Sequence, residues 1–506
     1  MKTFRTALAA LCLALLAIGQ AHAATPVLLQ VKNDLDWSPY IYNTNPPHTF
    51  ASGDTLVDQL PNPVGANNLV VELIAVDDTT SYPTIADSLG LTWSRVATCK
   101  DSTNGEDMLI YAAQVGSTGG IDTVTTTLHA ATTFTTMPAL AEFAFAGSVD
   151  GTPPCAHGTT TTVAAGSFTP AQTGDLAVQF SWNDTIASVR TGGCDGVHYT
   201  QGSQTNITWQ KFIDGHTWCY GGQWGVYNST SAFNPTFTIS TAGFVTTAAF
   251  FAPSASGTPQ PSGIRIVAQQ QQVFSTIAGF NSTTQTTYFP CPSSANLMVA
   301  EWTGPGPGST YDMTGVSDSN SNTWASNHAE VVDPSNNTAL HTYSASNATT
   351  STGQTVTVTL KTASADLVHL YCIQGAASSS PLDVVATATG NQTAAGDNTL
   401  LSISPSVSND LVLLTGSQEF NTTISFTGSN QSYNGCFWSN EDTNLDGCAA
   451  NNAWGSYYAP NTSAITWTAH QQVSGTAVEN WSAESDAYKS ASGGAVNHPP
   501  LWVIQP

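Results

Sequence analysis

An all-β chain of four tandem β-sandwich domains, of jelly-roll or immunoglobulin-like type and arranged as two duplicated units, is predicted by three features of the sequence. Short apolar runs rich in Val, Leu and Ile recur between turns of Gly, Asn, Asp, Ser and Pro, with no sustained helical periodicity. Blocks of sequence return in the same order after about 230 residues. Within each such unit an opening strand and a late threonine-rich strand occur twice, roughly 110 residues apart, which is the size of one sandwich.

Residues 1–23 read as a secretory leader. Lys2 and Arg5 precede an apolar run over residues 7–18, and Ala21-His22-Ala23 offers small residues for cleavage. The run is too short to cross a bilayer, and no later segment has the roughly 20 apolar residues that a span requires. Export without membrane insertion is therefore expected, to the extracellular space, the periplasm or the cell surface. Sandwich 1 is placed at 24–149 and sandwich 2 at 150–252. A Pro/Gly/Ser linker follows at 253–263, then sandwich 3 at 264–376 and sandwich 4 at 377–506.

The repeats justify these divisions. "LPNPVGANNLVVE" at 60–72 matches "FPCPSSANLMVAE" at 289–301. "IADSLGLTW", ending at Trp93, matches "GVSDSNSNTW", ending at Trp324. "TVTTTL", ending at Leu128, matches "TVTVTL", ending at Leu360. The second halves match as well: "GDLAVQF" from Gly174 with "NDLVLLT" from Asn409, and "CYGGQWGVY" from Cys219 with "CAANNAWGSYY" from Cys448. Leu69, Leu176, Leu297 and Leu411 each follow Asn or Asp and open the core strand of one sandwich. The ungapped match sets Glu72 against Glu301 at one repeat position, a structural one, whereas aligning Leu69 with Leu297 shifts the register by a residue. The late strands alternate Thr with apolar residues, so one face turns inward and the other toward water. Asp87 and Asp318 sit in "DS" turns, where Asp stabilises a tight turn.

Only 9% of residues are charged, and the formal balance is -24. Nucleic acid is excluded as a partner, because phosphate binding needs clustered Lys and Arg. The scarcity of lysine suits an extracellular protein exposed to acid or proteases. Cys12 leaves with the leader, and an even number of cysteines remains in an exported chain, which reads as disulfides. Cys194 with Cys219, and Cys436 with Cys448, occupy corresponding places in sandwiches 2 and 4 and are paired on that symmetry. Cys99 with Cys155, and Cys291 with Cys372, follow by elimination within each unit.

The succession "ANNLVVELIAV", "ADSLGLTW", "IYAA", "TVTTTL" and "AEFAFAG" resembles a tandem all-β module of uncharacterised bacterial exported proteins, over nearly the whole mature chain. The resemblance implies a β-sandwich and export. Its motifs are structural and bring no catalytic residues with them. The cysteines and long loops depart from it.

Four groups of residues could carry chemistry. In "EDTNLDGC", Asp442, Asn444 and Asp446 alternate before Gly447, a spacing of oxygen ligands that suits Ca²⁺; Ala453 stands where a bidentate Glu is expected. Calcium is thus the one candidate cofactor. Asp195, His198, Asp214 and His216 lie near Cys194 and Cys219 and could hold a transition metal, although a solvated loop has the same composition. Trp209, Trp218, Tyr220, Trp224 and Tyr227 form an aromatic region, with Phe437, Trp438, Trp454, Tyr457 and Tyr458 as counterparts. Trp224 and Trp454 are assigned to the core. Trp218, Tyr220 and Trp438 are the candidate sugar-stacking residues. Among carboxylates, Glu301, Glu479 and Glu484 stand in no recognisable acid/base arrangement, and no nucleophile elbow, zinc-helix motif or phosphate loop occurs.

These features favour an exported, non-enzymatic protein used for adhesion, glycan binding or an extracellular structural layer, with glycans or surface proteins as partners. A secreted polysaccharide-acting hydrolase, with its site on a concave sheet face, is one alternative. A Ca²⁺-stabilised extracellular fibre subunit using strand edges is the other.

Overall fold

The computed structural model describes residues 24–33, 51–77, 81–101, 106–120, 122–130, 138–182, 199–214, 220–239, 243–259, 263–274, 283–305, 312–335, 338–363, 366–392, 396–418, 425–426, 433–437, 452–471 and 479–491. Among them every regular element of more than a turn is a β-strand. Most strands fall into four consecutive sets of eight. In the first set these are, in chain order, Val27–Asn33, Thr55–Gln59, Leu69–Asp77, Thr84–Asp87, Ser94–Asp101, Glu106–Gln114, Thr123–Thr127 and Ala139–Ala144. The first, eighth, third, sixth and fifth strands lie side by side in that order, while the second, seventh and fourth form a separate small sheet. The same order recurs in strands 155–253, 265–374 and 382–488. The large sheets of the first and third sets merge into one 11-stranded sheet. The joint is parallel, with Val31 opposite Ala268 and Lys32 opposite Gln269.

The two sequence patterns correspond to these two kinds of sheet. Small-sheet strands have one face on the core, and burial alternates along Thr123–Thr127 and Thr355–Leu360. Large-sheet strands are buried throughout, as in Asp175–Trp182 and Ala139–Ala144. The reason is that each large sheet is covered twice. Its own small sheet packs on one face, where Ile74 and Leu109 meet Leu56 and Leu128. A neighbouring large sheet packs on the other, where Phe143 of the first set meets Trp224 of the second at 5.7 Å between ring centres. In the later half of the chain, Leu297, Val299 and Ile373 of the third set pack with Leu411, Leu413 and Tyr488 of the fourth. A strand covered on both faces is free of the polar alternation that water imposes.

The four leucines lie at the start of the third strand of their set, Leu69 and Leu297 as its first residue and Leu176 and Leu411 as its second, and each is buried. Leu69 pairs with Phe143, and Leu297 with Ile373, so both point into a seam between large sheets. This settles the register. Val70, Glu72 and Ile74 face the small sheet of the first set, where Glu72 accepts a hydrogen bond from Thr126 at 2.6 Å. In the third set the residues facing the small sheet are Met298, Ala300 and Trp302, and Glu301 faces the fourth set. The expectation that Glu72 and Glu301 share a repeat position is therefore corrected: Glu72 corresponds to Ala300. A slip of one residue exchanges the faces of a strand, and the ungapped match carried that slip.

The turn ahead of each leucine is also patterned. Asn67, Gly174 and Asn409 adopt left-handed φ of 59°, 91° and 67°. Asn68 exchanges two hydrogen bonds with the backbone of Thr258, and Asn296 does the same with Ala376. In the second and fourth sets the position holds Asp175 and Asp410. Burial raises these carboxyls to about 8 and about 7, aided by contact with Asp150 and Asp383 respectively.

Asp87 and Asp318 accept backbone N–H groups in their turns, from Leu89 and Asn320 respectively, both at 2.8 Å. The same carboxylates accept the indole N–H of Trp93 and of Trp324, the latter at 2.6 Å. Asp318→Ala strips the turn and the indole of one acceptor each. It is expected to cost about 2 kcal/mol in denaturant unfolding, with Asp318→Asn recovering part of the loss.

Candidate functional site

The described residues bring together one dense cluster of ionisable side chains, in the seam between the large sheets of the third and fourth sets. Glu301 comes from the core strand of the third set. Glu484 and Asp486 come from Glu479–Tyr488, the eighth strand of the fourth, where a spacing of two puts them on one face. His328 and Asn327 lie on the short segment after strand Trp324–Ser326.

Hydrogen bonds cross the seam at every carboxylate. Glu301 accepts from Thr415 of the fourth set at 2.5 Å, and from Tyr371 of its own set at 3.1 Å. Glu484 accepts from Thr342 and pairs with His328 at 2.7 Å. Asp486 accepts from Asn327, which also donates to the Tyr488 hydroxyl at 2.7 Å. Burial raises Glu301 to about 8, beyond what the Thr415 bond offsets, and the charges of Glu484 and Asp486 add to the rise. Asp486 is raised to about 7 by burial and by Glu484. Burial alone would lower the His328 imidazole, but its hydrogen bond and attraction to Glu484 bring it up to about 9. The cluster therefore holds protons at neutral pH on groups that would lose them in water.

Glu301, Glu484 and Asp486 are 3%, 2% and 2% exposed. At that burial the carboxylates have no room for a sugar ring between them, although two carboxylates across a gap are what glycoside hydrolysis uses. The sequence offered Glu301 and Glu484 separately. Their meeting depends on how two sheets pack, and no local spacing signals it. The side chain of Glu479 lies outside the described residues.

The other sequence-derived sites fare differently. Trp218 and Trp438 lie outside the described residues, as do Asp442, Asn444 and Asp446 of the calcium motif. So do Asp195, His198, His216, Cys194, Cys219, Cys448 and the side chains of Cys436 and Trp454. Tyr220 is described and is fully buried, stacked near Phe180 and Trp182 at ring separations of 5.8 and 6.1 Å. It is a core residue and presents no free ring face, which corrects its placement among sugar-stacking aromatics. Asp214 is buried and paired with Lys211. Trp209 and Tyr227 are buried with Trp224. Cys99–Cys155 and Cys291–Cys372 are disulfides, with Cα–Cα distances of 4.9 and 5.8 Å. The first ties an edge strand of the first set to the opening strand of the second, and the second lies within the third set. Such bonds fit an oxidising environment. No group of three or more His, Cys, Asp or Glu among the described residues is arranged to hold a metal ion.

No protein-family model matches the chain, and no curated protein matches its sequence.

Proposed function

We propose that this is an exported, non-enzymatic protein of four jelly-roll sandwiches in two duplicated pairs, serving as an adhesive or structural element outside the cell. The recurrence of one strand order supports the four sandwiches. The alternation of Asn68, Asp175, Asn296 and Asp410 at one turn position supports duplication of a pair rather than of a single sandwich.

The observation that carries the functional reading is the double covering of the large sheets. A polysaccharide hydrolase on this scaffold would need an open sheet face, and those faces are filled by neighbouring sheets. Small-sheet faces, strand edges and loops remain for contact. The small-sheet faces carry rows of hydroxyls, such as Thr55, Thr127 and Thr84 on adjacent strands, and Thr286 bonded to Thr357 at 2.8 Å. Uncharged hydroxyl rows favour neutral, hydrogen-bonding partners such as glycans or other surface proteins.

A panel of soluble and insoluble polysaccharides should be scored for retention of the protein and for release of reducing ends. Retention on at least one member without release is the expected result. Steady release of reducing ends from any member would replace this reading with the hydrolase.

A further inference from the structure

We propose that the seam between the third and fourth sets is a proton-operated clasp, closed while its carboxyls hold protons and released as they lose them. The geometry distinguishes this seam from its counterpart. Between the first and second sets the contact is apolar and aromatic, with Phe143 on Phe212 and Trp224, and Cys99–Cys155 closes it covalently. The later pair has no such bond among the described residues, because Cys291–Cys372 lies within the third set. In its place stand Glu301, Glu484 and Asp486, each bonded across the seam.

Three acidic groups in one buried space cannot all be ionised without strong mutual repulsion. The positive charge facing them is that of His328, whose neighbour His341 is turned to Asp312 at 2.7 Å. His369 lies two residues from Tyr371 on the adjacent strand. Burial, with Lys32 adding, holds it well below its ordinary value, so it contributes no charge. The tyrosines that touch the cluster, Tyr371 and Tyr488, are neutral donors.

The sign follows from linkage. Glu301 and Asp486 are raised in the closed seam, to about 8 and about 7, and return to ordinary carboxylate values when water enters. His328 is raised to about 9 and returns to an ordinary imidazole value. All three bind protons more tightly when the seam is closed. Their stabilisation is complete below the values of the open state. It is lost from about pH 4 upward for the carboxyls and from about pH 6.5 for the histidine, and is gone above about pH 9. Each proton released on opening changes the opening equilibrium about tenfold per pH unit within its window.

Hydrogen exchange of the full-length secreted protein, corrected for the intrinsic pH dependence of exchange, tests this. Amides of Asp410–Gln418 and Glu479–Tyr488 are expected to exchange at least tenfold faster at pH 8 than at pH 6. Those of residues 245–249 in the second set, at the end of the sheet away from Asp175, should change less than twofold. Glu301→Gln and Asp486→Asn keep the shape of the groups and remove their titration, so each should reduce the pH response. Equal responses of both pairs, or an unchanged response in whichever variant folds, would overturn the clasp. The glycan screen is independent of this outcome.

Discussion

Trp302→Ala is expected to destabilise the protein by about 4 kcal/mol, the range for removing a buried tryptophan from a packed core. Trp302 is 0% exposed and lies mid-strand, facing the small sheet of the third set together with Val356 and Val358. It is paired with Val368 on one side and His341 on the other, so neither neighbour can move into the space without breaking a ladder. The cavity would therefore stay open. Its indole N–H finds no hydrogen-bond partner among the described residues, so Trp302→Phe should recover most of the loss. Guanidinium unfolding followed by fluorescence and circular dichroism reads both. A loss below about 1.5 kcal/mol for Trp302→Ala would mean that this face of the strand is not core.

Replacing Cys99 and Cys155 together with serine is the second large effect. The bond closes a loop with a sequence separation of 56, for which restriction of the unfolded chain contributes about 4 kcal/mol. Cys99 is fully buried, so its serine also leaves a hydroxyl in an apolar seam, whereas Cys155 is exposed. The loss should appear as a lower denaturation midpoint, with early loss of exchange protection in Cys155–Gly158. That strand is held on one side only, by Phe244–Pro253. An unchanged midpoint would show that the seam is held without the bond.

Much of the fold was legible in the sequence because each sheet type leaves its own pattern. Alternation in "TVTTTL" marked strands wetted on one face, and the unbroken run "LVVELIAV" marked strands covered on two. What the run concealed was register. When both faces are apolar, a shift of one residue costs no visible pattern, and that is how Glu72 came to be matched with Glu301. The candidate site was legible only in pieces. Glu301 and Glu484 belong to different sets, and packing of one sheet on another has no sequence period. The parallel joint of Val27–Asn33 with Arg265–Phe274 was hidden for the same reason. Tyr220 stood beside a cysteine and among loop residues in the sequence, yet it opens a central strand whose side chains lie between sheets. Turn chemistry, by contrast, is local. The turn roles of Asp87 and Asp318 could be read directly, whereas their bonds to the indoles of Trp93 and Trp324 emerge only in the structure.

Whether the acidic cluster is a sealed seam or an open cleft decides between scaffold and hydrolase. Carbodiimide labelling of carboxyls in the folded protein at pH 6, mapped by mass spectrometry, measures this directly. Glu301, Glu484 and Asp486 are expected to remain unlabelled while the partly exposed Asp54 and Asp150 react. Labelling of Glu301 and Glu484 as fast as Asp54 would contradict the account, because carboxylates that reach water that readily lie in a cleft that a substrate can enter.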